Sequence, residues 1–192
     1  MILIIPSAVL LDSEMRCDTG AQTHALIDIS GKPLFFHIVE SYKKLCQDDD
    51  LIVILVVKTG VKKLLDQYEK YVDKCVEIDD SRNLLDTVSK GIEELDSMCN
   101  TEHSVIVHMA DTLLPDNELT LQADCIYASY GSDFYRWTIF HETNGVIRVD
   151  SDRTLISKDR ENKLLSIGIF SFSSLSSLRQ TLLEIDSFHY LK

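Results

Sequence analysis

Two polar segments of this 192-residue chain carry side chains that could take part in phosphate or metal chemistry. The first, residues 7–23, contains four charged side chains and a glycine, and His24 follows it directly. Long polar segments in compact domains are usually functional or mobile. The second, Ala110-Asp111-Thr112, follows the apolar run Val105-Ile106-Val107. An aspartate after a strand can hold a divalent cation beside a phosphate, and it can equally be an ordinary turn residue.

The elements that must position these segments alternate between strand and helix in the N-terminal half of the chain. The predicted strands are Ile2 to Pro6, Leu51 to Val57, Cys75 to Ile78 and Ser104 to Met109. The predicted helices are Pro33 to Cys46, Val61 to Tyr71 and a helix that Asn83 caps. This alternation is typical of a parallel sheet covered by helices, in which ligands bind beyond the carboxyl ends of the strands.

The chain changes character after residue 120 and predicts antiparallel strands. The expected strands are Ala123 to Tyr130, Phe134 to Glu142, Gly145 to Val149 and Leu164 to Phe172, followed by a closing helix from Ser173 to Ile185. Asn144-Gly145 is a strong hairpin signal between two of them. We therefore predict one α/β domain over residues 1–192, with a mixed, mainly parallel sheet that has antiparallel additions in its C-terminal half.

The charge balance limits the classes of partner. The chain has 31 acidic and 19 basic residues, which gives a net charge of −12 at pH 7. A field of this sign repels duplex DNA and anionic lipid, so we expect neither nucleic acid nor membrane as a partner. A small anionic substrate is still compatible, because a few local cations can override the net charge inside a cleft. The five scattered cysteines form no C-x-x-C pair, which favours a reducing cytoplasm.

Five segments carry motifs that occur together in one known family. Ile4-Ile5-Pro6-Ser7-Ala8 is similar to I-I-P-A-A-G, His24 to Leu34 is similar to P-K-A-L-L-P-V-x-G-K-P-L, and Val105 to Leu113 is similar to V-x-x-G-D-T-L. Asp86 to Ile92 is similar to D-S-V-x-x-G-L, and Ser166 to Phe172 is similar to N-A-G-I-Y-x-F. In this order, and over nearly the whole chain, they resemble the sugar-phosphate nucleotidyltransferases and cytidylyltransferases.

The resemblance implies a Rossmann-like three-layer sandwich of the nucleotide-diphospho-sugar transferase type, and a cytoplasmic enzyme of nucleotide-sugar or polysaccharide biosynthesis. The implied partners are a nucleoside triphosphate and a small phosphorylated acceptor, with pyrophosphate as a product; a homo-oligomer or a fusion to a further domain stays open. The matching positions are Arg16, His24 and Asp111 as catalytic residues, Ser7, Ala8, Arg82 and Thr87 as nucleotide-binding residues, and Asp111 as the ligand of Mg²⁺.

The chain departs from the family pattern where phosphate is bound. Val9 occupies the place of an expected glycine, and the loop that follows lacks the glycines that let backbone N–H groups approach phosphate. Thr23-His24 replaces the P-K pair, so an imidazole stands where the family has a permanent cation. One alternative is therefore a catalytically degenerate domain that acts as a binding, regulatory or assembly module. Another is an acidic protein-interaction domain without a nucleotide site.

Some of the candidate residues also have a structural interpretation. Arg82 could contact phosphate, or it could cap a surface turn. His37 and His108 fall within apolar segments, where a histidine is more often a hydrogen-bonded core residue than a ligand. Trp137 could stack on a base or a sugar, although strand alternation favours packing.

Overall fold

The computed structural model describes residues 1–46, 51–95, 101–114, 120–131, 138–143, 146–150 and 163–189. Its strands are β1 (Ile2–Ser7), β2 (Asp28–Ile29), β3 (Lys32–Pro33), β4 (Ile52–Lys58), β5 (Lys74–Ile78), β6 (Val105–His108), β7 (Cys125–Gly131), β8 (Ile139–Thr143), β9 (Val146–Asp150) and β10 (Lys163–Phe172). Its α-helices are α1 (Ser13–Thr19), α2 (Leu34–Leu45), α3 (Leu84–Glu93) and α4 (Leu175–His189). Two 3₁₀ helices, His24–Leu26 and Lys62–Tyr71, complete the described elements. All strands except the β2-β3 ribbon join one eight-stranded sheet.

The parallel half of the sheet confirms the four strands predicted from apolar runs. Across the sheet the order is β5-β4-β1-β6-β10-β8-β9. β6 and β8 pair with different parts of one edge of β10, and β7 pairs with the opposite edge. β1 lies between β4 and β6, with Ile2 opposite Ile52 on one side and opposite Val105 on the other. The chain adds β4 and β5 on one side of β1 and then crosses over to form β6. The winding direction therefore changes between β1 and β6, which is the switch point where open α/β sheets bind ligands.

The C-terminal half adds antiparallel strands, as predicted. β10 runs antiparallel to β6, β7 and β8. β8 and β9 form a hairpin that begins at the pair Thr143 and Val146. The predicted turn Asn144-Gly145 lies outside the described residues, and so does Trp137.

Helices cover both faces of the sheet and complete the predicted three-layer sandwich. The core on one face includes α2 and the 3₁₀ helix Lys62–Tyr71, and the core on the other face includes α3 and α4. Successive side chains of a strand point to opposite faces, so β1 serves both cores: Leu3 and Ile5 pack on the α2 side, Ile2 and Ile4 on the α3 side. Among the described helices, none combines the length and apolar character needed to cross a membrane.

The helix predicted from Val61 to Tyr71 is present as a 3₁₀ helix. Such a helix has three residues per turn, so Tyr68 and Tyr71 lie one above the other along it. Tyr68 meets Phe35 and Tyr71 meets Phe36 edge to face, with ring centroids 5.7 Å and 4.5 Å apart. The tight helix thus presents both tyrosines to α2, where aromatic pairs of this geometry are favourable.

The expectation that residues 7–23 form a polar loop is wrong in one respect, because α1 lies within them. Asp12 caps α1 by accepting a hydrogen bond from Met15 N at 2.8 Å. Gly20 ends the helix at φ +68°, a left-handed conformation that glycine adopts without steric cost. None of the seven residues of α1 is buried, so the helix leaves no apolar periodicity in the sequence.

A bulge in β10 brings this strand onto the turn that follows β6. The register between β10 and β7 shifts between Ser166 and Ile169. Gly168, inside the bulge, has a φ of +76°, and its carbonyl accepts a hydrogen bond from Met109 N at 2.9 Å. A β-carbon at Gly168 would lie 2.9 Å from Met109 Sδ. Both the backbone conformation and the close approach of Met109 therefore favour glycine at this position.

We predict that Gly168→Ala lowers the free energy of unfolding by about 2–4 kcal/mol, through a strained backbone and a clash with Met109. Gly60→Ala is the matched control, because Gly60 has a φ of +89° and a β-carbon there would contact nothing within 4 Å. Urea unfolding of both variants measures the difference, which should leave Gly168→Ala the less stable. Equal losses would show that the approach of Met109 imposes no constraint.

Candidate functional site

Three predicted site residues lie at the edge of the sheet where β1 and β6 end. Ser7, the last residue of β1, is buried, and its Oγ accepts a hydrogen bond from Ala25 N at 3.1 Å. Ala8 follows and is also buried. Asp111 comes three residues after His108, the end of β6, and is exposed. The segment after β1 and the turn after β6 therefore leave the sheet at the switch point, on the side expected to bind a ligand.

Hydrogen bonds fasten residues 109–112, here called the Asp111 turn, to β10. Met109 N donates to Gly168 O at 2.9 Å, and the Thr112 hydroxyl donates to Ile167 O at 2.9 Å. Thr112 N donates to Met109 O at 3.3 Å and closes the turn. Asp111 Oδ1 lies 3.3 Å from the Thr112 hydroxyl. The residues on either side of Asp111 are thus anchored, while its own side chain is exposed.

Two buried side chains hold the Asp111 turn from the side of α2. His108 is 2% exposed, and its Nε2 lies 3.0 Å from Thr112 O. A carbonyl oxygen only accepts hydrogen bonds, so Nε2 carries the proton and Nδ1 is an acceptor. Tyr42 of α2 donates its hydroxyl to this Nδ1 at 3.0 Å. His108 is therefore a hydrogen-bonded core residue, as its apolar surroundings predict.

Burial determines the charge of the same pair. Burial lowers the pKa of His108 to about 4, although the Thr112 carbonyl and the Asp111 charge act in the opposite direction. Burial also raises the pKa of the Tyr42 hydroxyl above its ordinary value. At neutral pH both groups are therefore uncharged, and the hydrogen bonds run in one direction from Tyr42 to Thr112.

The Asp111 turn fits Mg²⁺ that is shared with a phosphate ligand. Mg²⁺ usually keeps several waters and is held by one or two carboxylates together with substrate phosphates. Asp111 offers one exposed carboxylate at the edge of the sheet. Within the part of the chain that the structure describes, no three His, Cys, Asp or Glu side chains are grouped so that they could hold a metal ion. The single carboxylate of Asp111 thus suits a site that phosphate oxygens complete.

The other two predicted catalytic residues lie on the segment after β1. Arg16 is exposed on α1, and no ion pair joins its guanidinium to another described residue. His24 is half-buried at the start of the 3₁₀ helix His24–Leu26. Thr23 before it is fully buried, and its hydroxyl has no hydrogen-bond partner among the residues that the structure describes. Arg16 and His24 therefore belong to two short helices that follow the same strand.

The predicted nucleotide-binding residues Arg82 and Thr87 lie at the start of α3. Asn83 caps this helix by accepting a hydrogen bond from Asp86 N at 2.9 Å, as predicted. Thr87 is buried, and its hydroxyl donates to Asn83 O at 3.2 Å. The Arg82 side chain is 81% exposed, and its Nη2 lies 3.8 Å from Asp86 Oδ1. This geometry favours the surface-turn interpretation of Arg82, although an exposed pair of this kind is weak enough for a phosphate to displace.

Acids of the chain itself partly neutralise the cations around α3. The backbone N–H of Arg82 donates to Asp86 Oδ2 at 3.0 Å and lowers the pKa of that carboxyl, and Lys90 adds to the effect. Lys90 Nζ lies 3.5 Å from the same oxygen, and Lys58 Nζ lies 3.2 Å from Asp80 Oδ1. A phosphate bound here would therefore compete with carboxylates for each of these side chains.

Apolar side chains are exposed near both loops of the switch point, a feature that composition alone does not reveal. Val9, in the place of an expected glycine, is 68% exposed, and Leu10 is 42% exposed. Leu113, directly after the Asp111 turn, is also 42% exposed. A second apolar surface, a groove of about 840 Å³ between α3, α4 and β7, lies on one face of the sheet, and no predicted site residue lines it. Apolar side chains offer phosphate no hydrogen bonds, so phosphate binding at this edge would depend on side-chain cations and a metal ion.

Solved structures of nucleotidyltransferases are similar to this chain. A nucleoside-diphosphate-sugar pyrophosphorylase from Vibrio cholerae aligns with 99% of this chain and 79% of its own, at 20% identity and a TM-score of 0.69. A 4-diphosphocytidyl-2C-methyl-D-erythritol synthase aligns over 95% and 78%, at 16% identity and a TM-score of 0.53. The inositol-1-phosphate CTP transferase of T. maritima aligns over 89% and 69%, at 12% identity and a TM-score of 0.55. The chain therefore has the nucleotidyltransferase fold that its motifs predict.

Sequence comparison adds no nearer relative. No protein-family model matches the chain, and no curated protein matches it. The resemblance thus resides in the fold and in the short motifs around the switch point, in a sequence that has diverged widely elsewhere.

The lowered pKa of His108 predicts a loss of stability in mild acid. An unfolded histidine titrates at about 6.5, so below that pH the unfolded chain binds a proton that folded His108 rejects down to about pH 4. The free energy of unfolding should therefore fall by about 2 kcal/mol between pH 7.5 and pH 5 through this residue.

Urea unfolding of the unmodified protein and of His108→Gln at both pH values measures this contribution. The glutamine variant keeps a hydrogen-bond donor and does not titrate, so its stability should depend less on pH across this range. Parallel profiles for the two proteins would contradict the assignment of a neutral, buried imidazole.

Proposed function

We propose that this chain is a divergent nucleotidyltransferase that transfers a nucleotidyl group from a nucleoside triphosphate to a sugar phosphate or alcohol phosphate. The observation that carries the proposal is the exposed carboxylate of Asp111, held on an anchored turn at the switch point of a nucleotidyltransferase fold. Two of the similar solved structures are named as a nucleoside-diphosphate-sugar pyrophosphorylase and an inositol-1-phosphate CTP transferase. The same class of reaction is the natural expectation for a site in the same place.

In this reaction a phosphate oxygen of the acceptor attacks the α-phosphorus of the nucleotide. A new P–O bond forms to the acceptor, the bond from the α-phosphorus to the bridging oxygen breaks, and pyrophosphate leaves with the bonding electrons. Two anions must approach each other, so catalysis consists mainly of alignment and charge neutralisation. Mg²⁺ held by Asp111 and phosphate oxygens would supply much of that neutralisation.

The positions of the other candidate residues suggest which of them would contact the phosphates, line the nucleotide site and exclude water. Arg16 and His24 lie on two short helices that follow β1, and their side chains would meet the phosphates. Ser7 and Ala8 would line the floor of the nucleotide site, because both are buried at the end of β1. Arg82 would meet a phosphate only after leaving Asp86. Exclusion of water from the reacting groups would fall to apolar side chains such as Leu10.

A degenerate binding or regulatory module is the second candidate, and one observation favours it. Val9 exposes its side chain at the position where a glycine would bring backbone N–H groups to phosphate. Such a module would bind nucleotide without releasing pyrophosphate. The two candidates therefore differ in turnover and share the binding site.

Calorimetry with CTP, UTP, GTP, ATP and dTTP, each with and without Mg²⁺, tests the binding site. At least one nucleotide should bind, and more tightly with Mg²⁺. Asp111→Ala should abolish the dependence on Mg²⁺ and reduce turnover by about 100-fold or more, because the metal loses its protein ligand.

Glu93→Ala is the matched control for the Asp111 variant, since it removes one exposed carboxylate at the far end of α3. It should leave both the Mg²⁺ dependence and the turnover unchanged. A lack of heat with every nucleotide would contradict the proposed function, and Mg²⁺ dependence that survives Asp111→Ala would contradict the assigned metal ligand.

Substitutions of His24, which is half-buried, test whether this side chain faces the phosphates of a bound nucleotide. At pH 8 a lysine at this position would carry a full positive charge. His24→Lys should therefore lower the Kd for nucleotide about five- to tenfold, corresponding to one additional charge contact near the protein surface. His24→Gln is the control, because a glutamine carries no charge at any pH. Equal affinity of the lysine and glutamine variants would remove this residue from the phosphate site.

A further inference from the structure

Tyr42 and His108 are buried polar side chains to which the proposed reaction gives no role. Tyr42 is fully buried and His108 is 2% exposed, and their rings pack edge to face with centroids 5.6 Å apart. Burying polar groups is unfavourable unless they are hydrogen-bonded, and apolar side chains of similar size would fill the same space without that requirement. The distinctive effect of this pair is thus the hydrogen bond that it delivers to the Asp111 turn.

The hydrogen bonds have a fixed direction. The Tyr42 hydroxyl donates to His108 Nδ1, and His108 Nε2 donates to Thr112 O, both at 3.0 Å. The Thr112 carbonyl only accepts hydrogen bonds, so it selects the tautomer with the proton on Nε2, and the Tyr42 hydroxyl orients the ring by donating to Nδ1. These two hydrogen bonds therefore link the Thr112 carbonyl to Tyr42 of α2, which precedes His108 by 66 residues in the sequence.

The turn is consequently fastened from two directions. His108 holds Thr112 from the α2 side, while Ile167 O and Gly168 O hold Thr112 and Met109 from β10. Asp111 lies between the two anchored residues. The Thr112 carbonyl belongs to the peptide that joins Thr112 to Leu113. Its displacement would shift the backbone of Thr112, the residue bonded to Asp111, and would move the Asp111 carboxylate through that link.

We propose that His108, oriented by Tyr42, is a positioning residue that directs the Asp111 carboxylate toward the metal and phosphate of a bound nucleotide. This inference rests on the proposed function and adds to it a role for His108, which lies within the segment Val105 to Leu113 at a position that the motif leaves unspecified. His108 touches neither substrate nor metal and acts through the Thr112 carbonyl. Partners that orient a metal ligand in this way typically change metal affinity or activity by about 10- to 100-fold when replaced.

Calorimetry of nucleotide binding with and without Mg²⁺ tests the inference in His108→Leu, His108→Gln and Tyr42→Phe. His108→Leu removes the donor and should reduce the Mg²⁺-dependent gain in affinity at least about tenfold, while affinity without Mg²⁺ stays within about twofold. His108→Gln can still donate to Thr112 O and should retain most of the gain. Tyr42→Phe should give an intermediate loss, because Nε2 keeps its bond to Thr112 O but the ring loses the hydrogen bond that orients it.

His37→Leu is the matched control, because His37 Nε2 also bonds to a backbone carbonyl, Ile29 O, at 2.9 Å, and this bond lies outside the Asp111 turn. It should leave the Mg²⁺-dependent gain unchanged. Combining His108→Leu with Asp111→Ala should cause no further loss of that gain, since both changes act on one carboxylate. Equal losses in the leucine and glutamine variants, or an unchanged gain in His108→Leu, would overturn the inference.

His108→Leu could lower the stability of the whole protein, and amide hydrogen exchange distinguishes such a general effect from local loosening of the Asp111 turn. In His108→Leu, exchange of the segment around Thr112 should accelerate at least about tenfold relative to β4 and α3, whereas His37→Leu should leave that ratio unchanged. Uniform acceleration along the chain would mark a purely structural role and would contradict the inference. Failure of the proposed function has a different signature, namely the absence of nucleotide binding by the unmodified protein.

Discussion

The antiparallel contact between β6 and β10 is the constraint on which the candidate site depends. β10 supplies the carbonyls of Ile167 and Gly168 that bind the Asp111 turn, and the bulge around Gly168 brings them there. The Thr112 bond to Ile167 joins residues 55 positions apart. The position of Asp111 therefore depends on β10 as well as on β6, and a change in β10 would move the Asp111 turn at the edge where β1 and β6 end. This explains why a strand without candidate catalytic residues belongs to the site.

Electrostatics limits what this edge can bind. The chain carries a net charge of −12, and Lys58, Lys90 and Arg82 already lie beside carboxylates. Glycines that would present backbone N–H groups are replaced by exposed Val9 and its neighbours. A triphosphate here would therefore depend more on a metal ion than in a site lined by lysine and backbone amides. Under the proposed function, this dependence would link the acidic composition to Asp111, and binding would depend on the direction of that carboxylate.

The sequence predicts the parallel strands well because Ile and Val runs buried on both faces leave a strong local signal. Helix α1 is not predicted from the sequence, because it buries no side chain and so shows no apolar periodicity. The sequence features that indicate it are the N-cap Asp12 and the C-cap Gly20. A glycine inside a strand pattern is a known signal for a bulge, so Gly168 could have been recognised. The Tyr42 bond to His108 could not, because it joins an α2 residue to a strand 66 positions away and only the packed fold brings them together.

The sequence also identifies Asp111 as a candidate through its place after an apolar run, but not how the aspartate is held. Release of pyrophosphate from a nucleoside triphosphate in the presence of Mg²⁺ and a panel of sugar and alcohol phosphates tests the central claim most directly. The account predicts release with at least one nucleotide and acceptor pair, requiring both substrates and lost in Asp111→Ala. Nucleotide binding without pyrophosphate release for any pair would contradict it and would identify the chain as a binding module.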